Sequence, residues 1–133
     1  MYKILIPVGD DNDRAKRQAR HVRNLPCASE AIEVTITHAR TGREKQVTAE
    51  MQQPDRVESV RRAKEILEDA DIAVATQDVS SPPAEGIVSL ATEGNFDEIV
   101  ISGRKRSPTE KAILGSVTQS VILEADQAVT VVN

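Results

Sequence analysis

The residues best suited to chemistry lie between Ile99 and Leu123, IVISGRKRSPTEKAILGSVTQSVIL. The apolar run Ile99-Val100-Ile101 breaks at Gly103. A basic trio, Arg104-Lys105-Arg106, follows, and Gly115-Ser116 then opens a stretch that reads as a helix. This order suits anion binding. The first-turn N–H groups of a helix lack intrahelical partners, and the helix dipole adds positive potential there. Gly115 lets a ligand approach the backbone closely, and Ser116 adds a hydroxyl donor. An ordinary strand–loop–helix corner uses the same residue types, and a basic trio is equally a solvated loop, so both readings stand at this level.

Other chemistries find less support. His21 and His38 have no companion cysteine and no HExxH spacing, which disfavours a metal site. His38 reads as a satisfied strand-end histidine and His21 as a solvent-facing one. Ser116 has no G-x-S-x-G elbow around it. Asp10 to Asp13 could hold a cation beside phosphates, although helix capping explains that cluster more simply. Cys27, the single cysteine, makes no internal disulfide and suits a reducing cytoplasm.

The 133 residues form one domain with enough chain for a real core. Aromatics are 2% of the chain, Tyr2 and Phe96, so the core is expected to be aliphatic. A net charge of −4 and the lack of a stacking platform disfavour nucleic acid. No segment has membrane-spanning length and no signal-peptide pattern opens the chain, so a cytoplasmic location is expected.

Patterning predicts the elements that must position the candidate site. Tyr2 to Val8 is nearly continuous in apolar character, as in a strand buried on both faces. Gly9 to Asp13 is a turn cluster. A helix over Arg14 to Leu25 places Ala15, Ala19, Val22 and Leu25 on one face, with Arg14, Arg17, Arg20 and Arg23 on a solvated one. Ala31 to His38 alternates with period two. Ala39 to Gln53 is polar and patternless, a surface excursion with a briefly extended piece at Gln46 to Met51. Pro54 suits a helix first turn, and Val57, Val60, Lys64 and Leu67 follow helical spacing. Asp71 to Thr76 is a third strand. Ser81 and Pro82 lead into a helix carrying Ile87, Leu90 and Ala91 and closed by Gly94. Asp97 to Ser102, a helix from Ser116 to about Ala125, and the strand Ala128 to Val132 complete the chain.

Strand and helix thus alternate through five strands. Right-handed crossovers then give an α/β fold: a parallel sheet with helices on both faces. Ligands on such sheets bind beyond the C-terminal strand ends at the switch point. That rim should gather Val8-Gly9-Asp10, His38-Ala39, Gln77-Asp78 and Ser102-Gly103. The last strand, with Val129, Thr130, Val131 and Val132, is apolar and terminal. Such an edge commonly pairs with a copy of itself, so a homodimer is expected.

The whole chain resembles the universal stress protein family. The resemblance rests on Lys3-Ile4-Leu5-Ile6-Pro7-Val8, His38, Ile99-Val100-Ile101-Ser102-Gly103, Gly115-Ser116-Val117-Thr118 with Val121, and Ala128-Val129-Thr130-Val131-Val132. It implies a single Rossmann-like domain over residues 1–133, of the adenine nucleotide alpha hydrolase-like type with strand order 3-2-1-4-5, usually homodimeric. Some members bind ATP through the motif G-x-x-G-x9-G-S/T and others lack it.

Carried over by position, Gly103 takes the first glycine and Gly115-Ser116 the closing pair beside the phosphates, with Val117 following. Arg106 stands at the second glycine, and eight residues, Ser107 to Leu114, separate it from Gly115, one fewer than the motif. Gly9 stands where the family's adenine-side Asp follows Pro-Val, with Asp10 one residue late. Ala39 follows the strand-two His, where the family's backbone meets adenine. Arg104, Lys105 and Arg106 are able to supply charge in place of backbone amides. Losing the Asp acceptor costs about 1–3 kcal/mol. The resemblance therefore implies ATP or another phosphate-bearing ligand, with a divalent cation only alongside a nucleotide. Three functions follow from these residues: a nucleotide-binding stress-response module, a homodimeric interaction protein of the same fold without nucleotide, and a slow nucleotide hydrolase. The last has least support, because no residue is an evident water-positioning base.

Overall fold

The structure, a computed structural model, describes residues 1–39, 57–79, 82–103 and 115–133. Five strands, β1 (Tyr2–Val8), β2 (Ile32–His38), β3 (Ala73–Thr76), β4 (Glu98–Ser102) and β5 (Ala128–Val132), form one sheet. Its order is β3-β2-β1-β4-β5 and every pairing is parallel. The helices are α1 (Asn12–Arg23), α2 (Ala28–Ala31), α3 (Glu58–Asp69), α4 (Pro83–Glu93) and α5 (Ser116–Glu124). The expected α/β architecture and strand order are present.

Both sheet faces are covered, which explains the unbroken apolar run of β1. Ile4, Ile6 and Val8 pack with Ala15, Ala19 and Val22 of α1 and Val60, Ala63 and Leu67 of α3. Leu5, between them in sequence, faces the opposite layer with Ile99, Ile101, Ile87, Leu90, Phe96 and Val121. Ile4, Leu5 and Ile6 are all fully buried. The core is aliphatic, with Phe96 its one aromatic member. No helix among the described residues is long and apolar enough to cross a membrane.

Several local expectations change. α1 begins at Asn12 rather than Arg14, because Asp11 is the N-cap and accepts from the Arg14 N–H at 3.1 Å. It ends at Arg23, and the short helix α2 follows, introduced by exposed Cys27 at φ 57°. The third strand starts at Ala73, since Asp71 is left-handed at φ 60° and serves the end of α3. There the N–H of Asp71 donates to Glu68 O at 2.9 Å and that of Ile72 to Leu67 O at 3.1 Å.

α4 ends the same way, and here Gly94 is not the left-handed residue. Gly94 has φ −84° and Asn95 has φ 55°. Gly94 is needed for space, because a Cβ there would stand 2.5 Å from Phe96 Cε2. Along α3 the buried stripe is Ser59, Val60, Ala63 and Leu67, with Lys64 only half-buried beside it. The expectations placed on Gln46 to Met51, Pro54 and Ser81 lie outside the described residues.

Candidate functional site

The crevice begins with a proline in the central strand. β1 pairs with β2 along its whole length, from Tyr2 with Ile32 to Val8 with His38. Against β4 it pairs only at Ile4–Glu98 and Leu5–Ile99. Pro7 has no N–H to extend that ladder. Beyond Leu5, the Gln18 side chain from α1 takes over: its Nε2 donates to Pro7 O at 2.7 Å and Val100 O at 3.1 Å. The sheet parts where its strand order reverses, the position at which parallel α/β sheets take ligands.

A cleft of about 140 Å³ opens above this gap. Apolar Pro7, Ala39, Ile101 and Val117 line it together with Gly9, Gly115, Ser116, Thr118, Ser102 and Arg14. Gly115 is the N-cap of α5, and having no side chain it makes no cap hydrogen bond to the helix. The first intrahelical bond runs from the Gln119 N–H to Gly115 O at 3.0 Å. The amides of Ser116, Val117 and Thr118 precede it at the positive end of the dipole. A Cβ added at Gly9 or Gly115 would meet nothing within 4 Å, so both glycines leave room at the mouth.

Of the residues singled out from sequence, Gly9, Ala39, Gly115, Ser116 and Val117 line this cleft together. Val8 is buried beneath it, and its carbonyl accepts from the Ala39 N–H at 2.7 Å. That bond commits the Ala39 amide to the ladder, so only its carbonyl side and Cβ are offered to a ligand. The Gly103 N–H likewise donates to Val132 O at 3.0 Å, and Gly103 is not among the lining residues. Asp10 is not among the lining residues either; its Oδ1 accepts from His38 Nε2 at 2.9 Å, the imidazole being 3% exposed and the carboxylate 60%. Arg104 and Arg106 lie outside the described residues, as does Lys105.

Arg14 is the site residue that periodicity misplaced. It belongs to the first turn of α1 and is half-buried. Its Nε donates to Ser102 Oγ at 2.9 Å and its Nη2 to Ser102 O at 3.1 Å. Thr118 Oγ1 donates to the same carbonyl at 3.1 Å. One residue at the end of β4 therefore ties α1 to α5. The available signal was positional: the first turn after the central strand overhangs the C-terminal rim. The Gly9 loop is anchored similarly by the Ser59 hydroxyl, which donates to Gly9 O at 2.6 Å. No cluster of three metal-ligating side chains occurs among the described residues.

Comparison with known proteins agrees with the fold. A universal stress protein from Archaeoglobus fulgidus is 28% identical, with a TM-score of 0.76 over 100% of this chain and 99% of its own. A universal stress protein structure from the same organism in complex with dAMP is 23% identical, with a TM-score of 0.71 over 100% and 98%. An Arabidopsis thaliana universal stress protein family member with AMP bound shares the fold at 11% identity, with a TM-score of 0.65 over 99% and 91%. No curated protein sequence matches the chain. The profile of the universal stress protein family matches residues 1–133, and the chain belongs to that family.

Proposed function

We propose that this protein is a stress-response module that binds an adenine nucleotide, ATP or a shorter phosphate, in the cleft between β1, β4 and α5. The observation that carries this reading is the first turn of α5, with a glycine at its N-cap, lining a crevice where Gly9 and Gly115 leave open space. The phosphates sit at the amides of Ser116 and Val117 with the Ser116 hydroxyl beside them. The base lies over Pro7, Ala39 and Ile101, an apolar floor of the kind small-molecule sites use. A divalent cation enters only with a bound nucleotide. Two similar folds hold dAMP and AMP, which supports the class of ligand. Binding biases conformation or partner choice; no dedicated catalysis is assigned. The lone thiol, exposed Cys27, favours the cytoplasm.

The experiment is titration calorimetry and thermal shift with ATP, AMP and inorganic phosphate. A saturable response at micromolar to millimolar ligand is expected. No response to any of them at millimolar concentration overturns the reading.

A homodimer through β5 accompanies it. Among the described residues β5 is an edge strand of the sheet, beside β4 alone. Val132 O faces β4, so by alternation the N–H and C=O groups of Val129 and Val131 face outward. Leu123, 78% exposed at the end of α5, adds apolar surface to pair with a second copy.

A further inference from the structure

We propose that the Ser102 hydroxyl is a phosphate-binding group, donating a hydrogen bond to the phosphate of a nucleotide seated at the first turn of α5. The inference rests on reading the cleft as an adenine-nucleotide site and names a further residue that holds the ligand in it.

Ser102 lines the cleft and is 6% exposed. A serine hydroxyl has one proton to give and lone pairs to receive with. Here the oxygen receives: Arg14 Nε donates to Ser102 Oγ at 2.9 Å. A guanidinium has no acceptor atom, so this bond leaves the hydroxyl proton unused. No acceptor for that proton occurs among the described residues. A nearly buried donor without an acceptor is costly, and native structures keep few of them. The cleft is the open space that Ser102 borders, so an acceptor brought in by a ligand satisfies it.

The other two hydroxyls of the lining are placed differently. Thr118 Oγ1 gives its proton to Ser102 O at 3.1 Å, and Ser116 is exposed at the start of α5. The Thr118 bond also fixes where Ser102 stands. It ties the last residue of β4 to the first turn of α5, whose leading amides precede the first intrahelical bond. The group that suits helix amides, helix dipole and a spare hydroxyl proton together is an anionic oxygen. A phosphomonoester presents several, enough to meet α5 and Ser102 at once. A neutral nucleoside offers none.

Calorimetry on the full chain with AMP, adenosine and inorganic phosphate tests this. The wild type is expected to bind AMP more tightly than adenosine. Ser102→Ala should weaken AMP and phosphate roughly ten- to hundredfold and leave adenosine unchanged. Ser102→Cys, with a weak S–H donor in place of the hydroxyl, should fall between the two. Because Ser102 also accepts from Arg14, a double-mutant cycle isolates the direct bond. Arg14→Met removes that donor and keeps an apolar stem. In its background Ser102→Ala should weaken AMP by the same factor as in the wild type. Ser89→Ala, exposed on α4, is the control that leaves binding unaltered.

Equal AMP affinity in wild type and Ser102→Ala, or a parallel loss of AMP and adenosine, overturns the inference while the nucleotide reading stands. So does a loss that disappears in the Arg14→Met background, since Ser102 then acts only through Arg14. Equal wild-type affinity for AMP and adenosine does the same. If the wild type binds neither AMP, ATP nor phosphate, the nucleotide reading has failed and this inference falls with it. Should Ser102→Ala not fold, as judged by circular dichroism, Ser102→Cys carries the test in both backgrounds.

Discussion

Arg14 and Ser102 meet at 2.9 Å, Nε to Oγ, and join the first turn of α1 to the last residue of β4 beside the gap where β1 and β4 part. The candidate site is therefore a seam in the sheet, closed from below by Gln18 and from the rim by Arg14. The seam exists because a central strand contains a proline. Small residues, the first turn of α5 and, among the described residues, Arg14 line the opening.

Glycines in this chain answer to different constraints, and substitution separates them. Gly115→Val places side-chain atoms in open cleft space, so thermal stability should fall by less than about 1 kcal/mol while AMP affinity drops. Gly94→Ala brings a Cβ within 2.5 Å of the Phe96 ring, over which Lys3 Nζ sits at 4.7 Å. That variant should lose about 1–3 kcal/mol in urea denaturation with binding retained. The opposite pattern would place the ligand away from α5.

Gln18 replaces a missing stretch of ladder. Gln18→Met keeps the volume but removes the donor to two buried carbonyls, Pro7 O and Val100 O. A loss of about 1–3 kcal/mol is expected from denaturant titration. Faster amide exchange near the ends of β1 and β4 should accompany it. Unchanged stability would mean that the seam does not depend on this bridge.

Tyr2 gives the fold an alkaline limit. Its hydroxyl donates to Glu98 Oε1 at 2.8 Å, while Thr130 donates to the other oxygen at 2.8 Å. The hydrogen bond to Glu98 pushes the phenol up to about 12, with burial and the charges of Glu98 and Asp97 adding. The folded chain thus holds this proton more tightly than the unfolded chain. Its stabilisation is complete below pH about 10 and is lost as pH rises through about 12. Tyr2 is largely solvent-exposed, so the effect is modest. Tyr2→Phe should flatten the stability profile between those two values, as measured by denaturation at stepped pH.

The edge of β5 is tested without disturbing its pairing to β4. Val131→Pro removes an outward N–H and leaves the inward ladder of Thr130 and Val132 intact. A monomer by sizing and light scattering, with the circular dichroism of the wild type, is the expected outcome. A persistent dimer would place the interface on another surface.

Sequence alone determined the alternation of five strands with four of the five helices, and the apolar faces those helices bury. Period-two and near-continuous apolar runs specify strands, and helical stripes such as Ala15, Ala19 and Val22 specify the faces that must be buried, because burial follows apolar area wherever the chain goes. It also pointed to Gly115 and Ser116, since a helix N-terminus after a glycine is a local feature. The tertiary structure decided the rest. Periodicity sorts Arg14 with the solvated arginines, yet a long stem lets its head reach a strand end far away in sequence. The same holds for Gln18, whose partners come from two separate strands. Asn95, rather than its neighbour Gly94, takes the left-handed turn, and Gly94 instead leaves room for the Phe96 ring. Asp10 meets His38, a pairing set by how β2 lies along β1. Each of these depends on which atoms arrive from distant parts of the chain, and no local pattern encodes that.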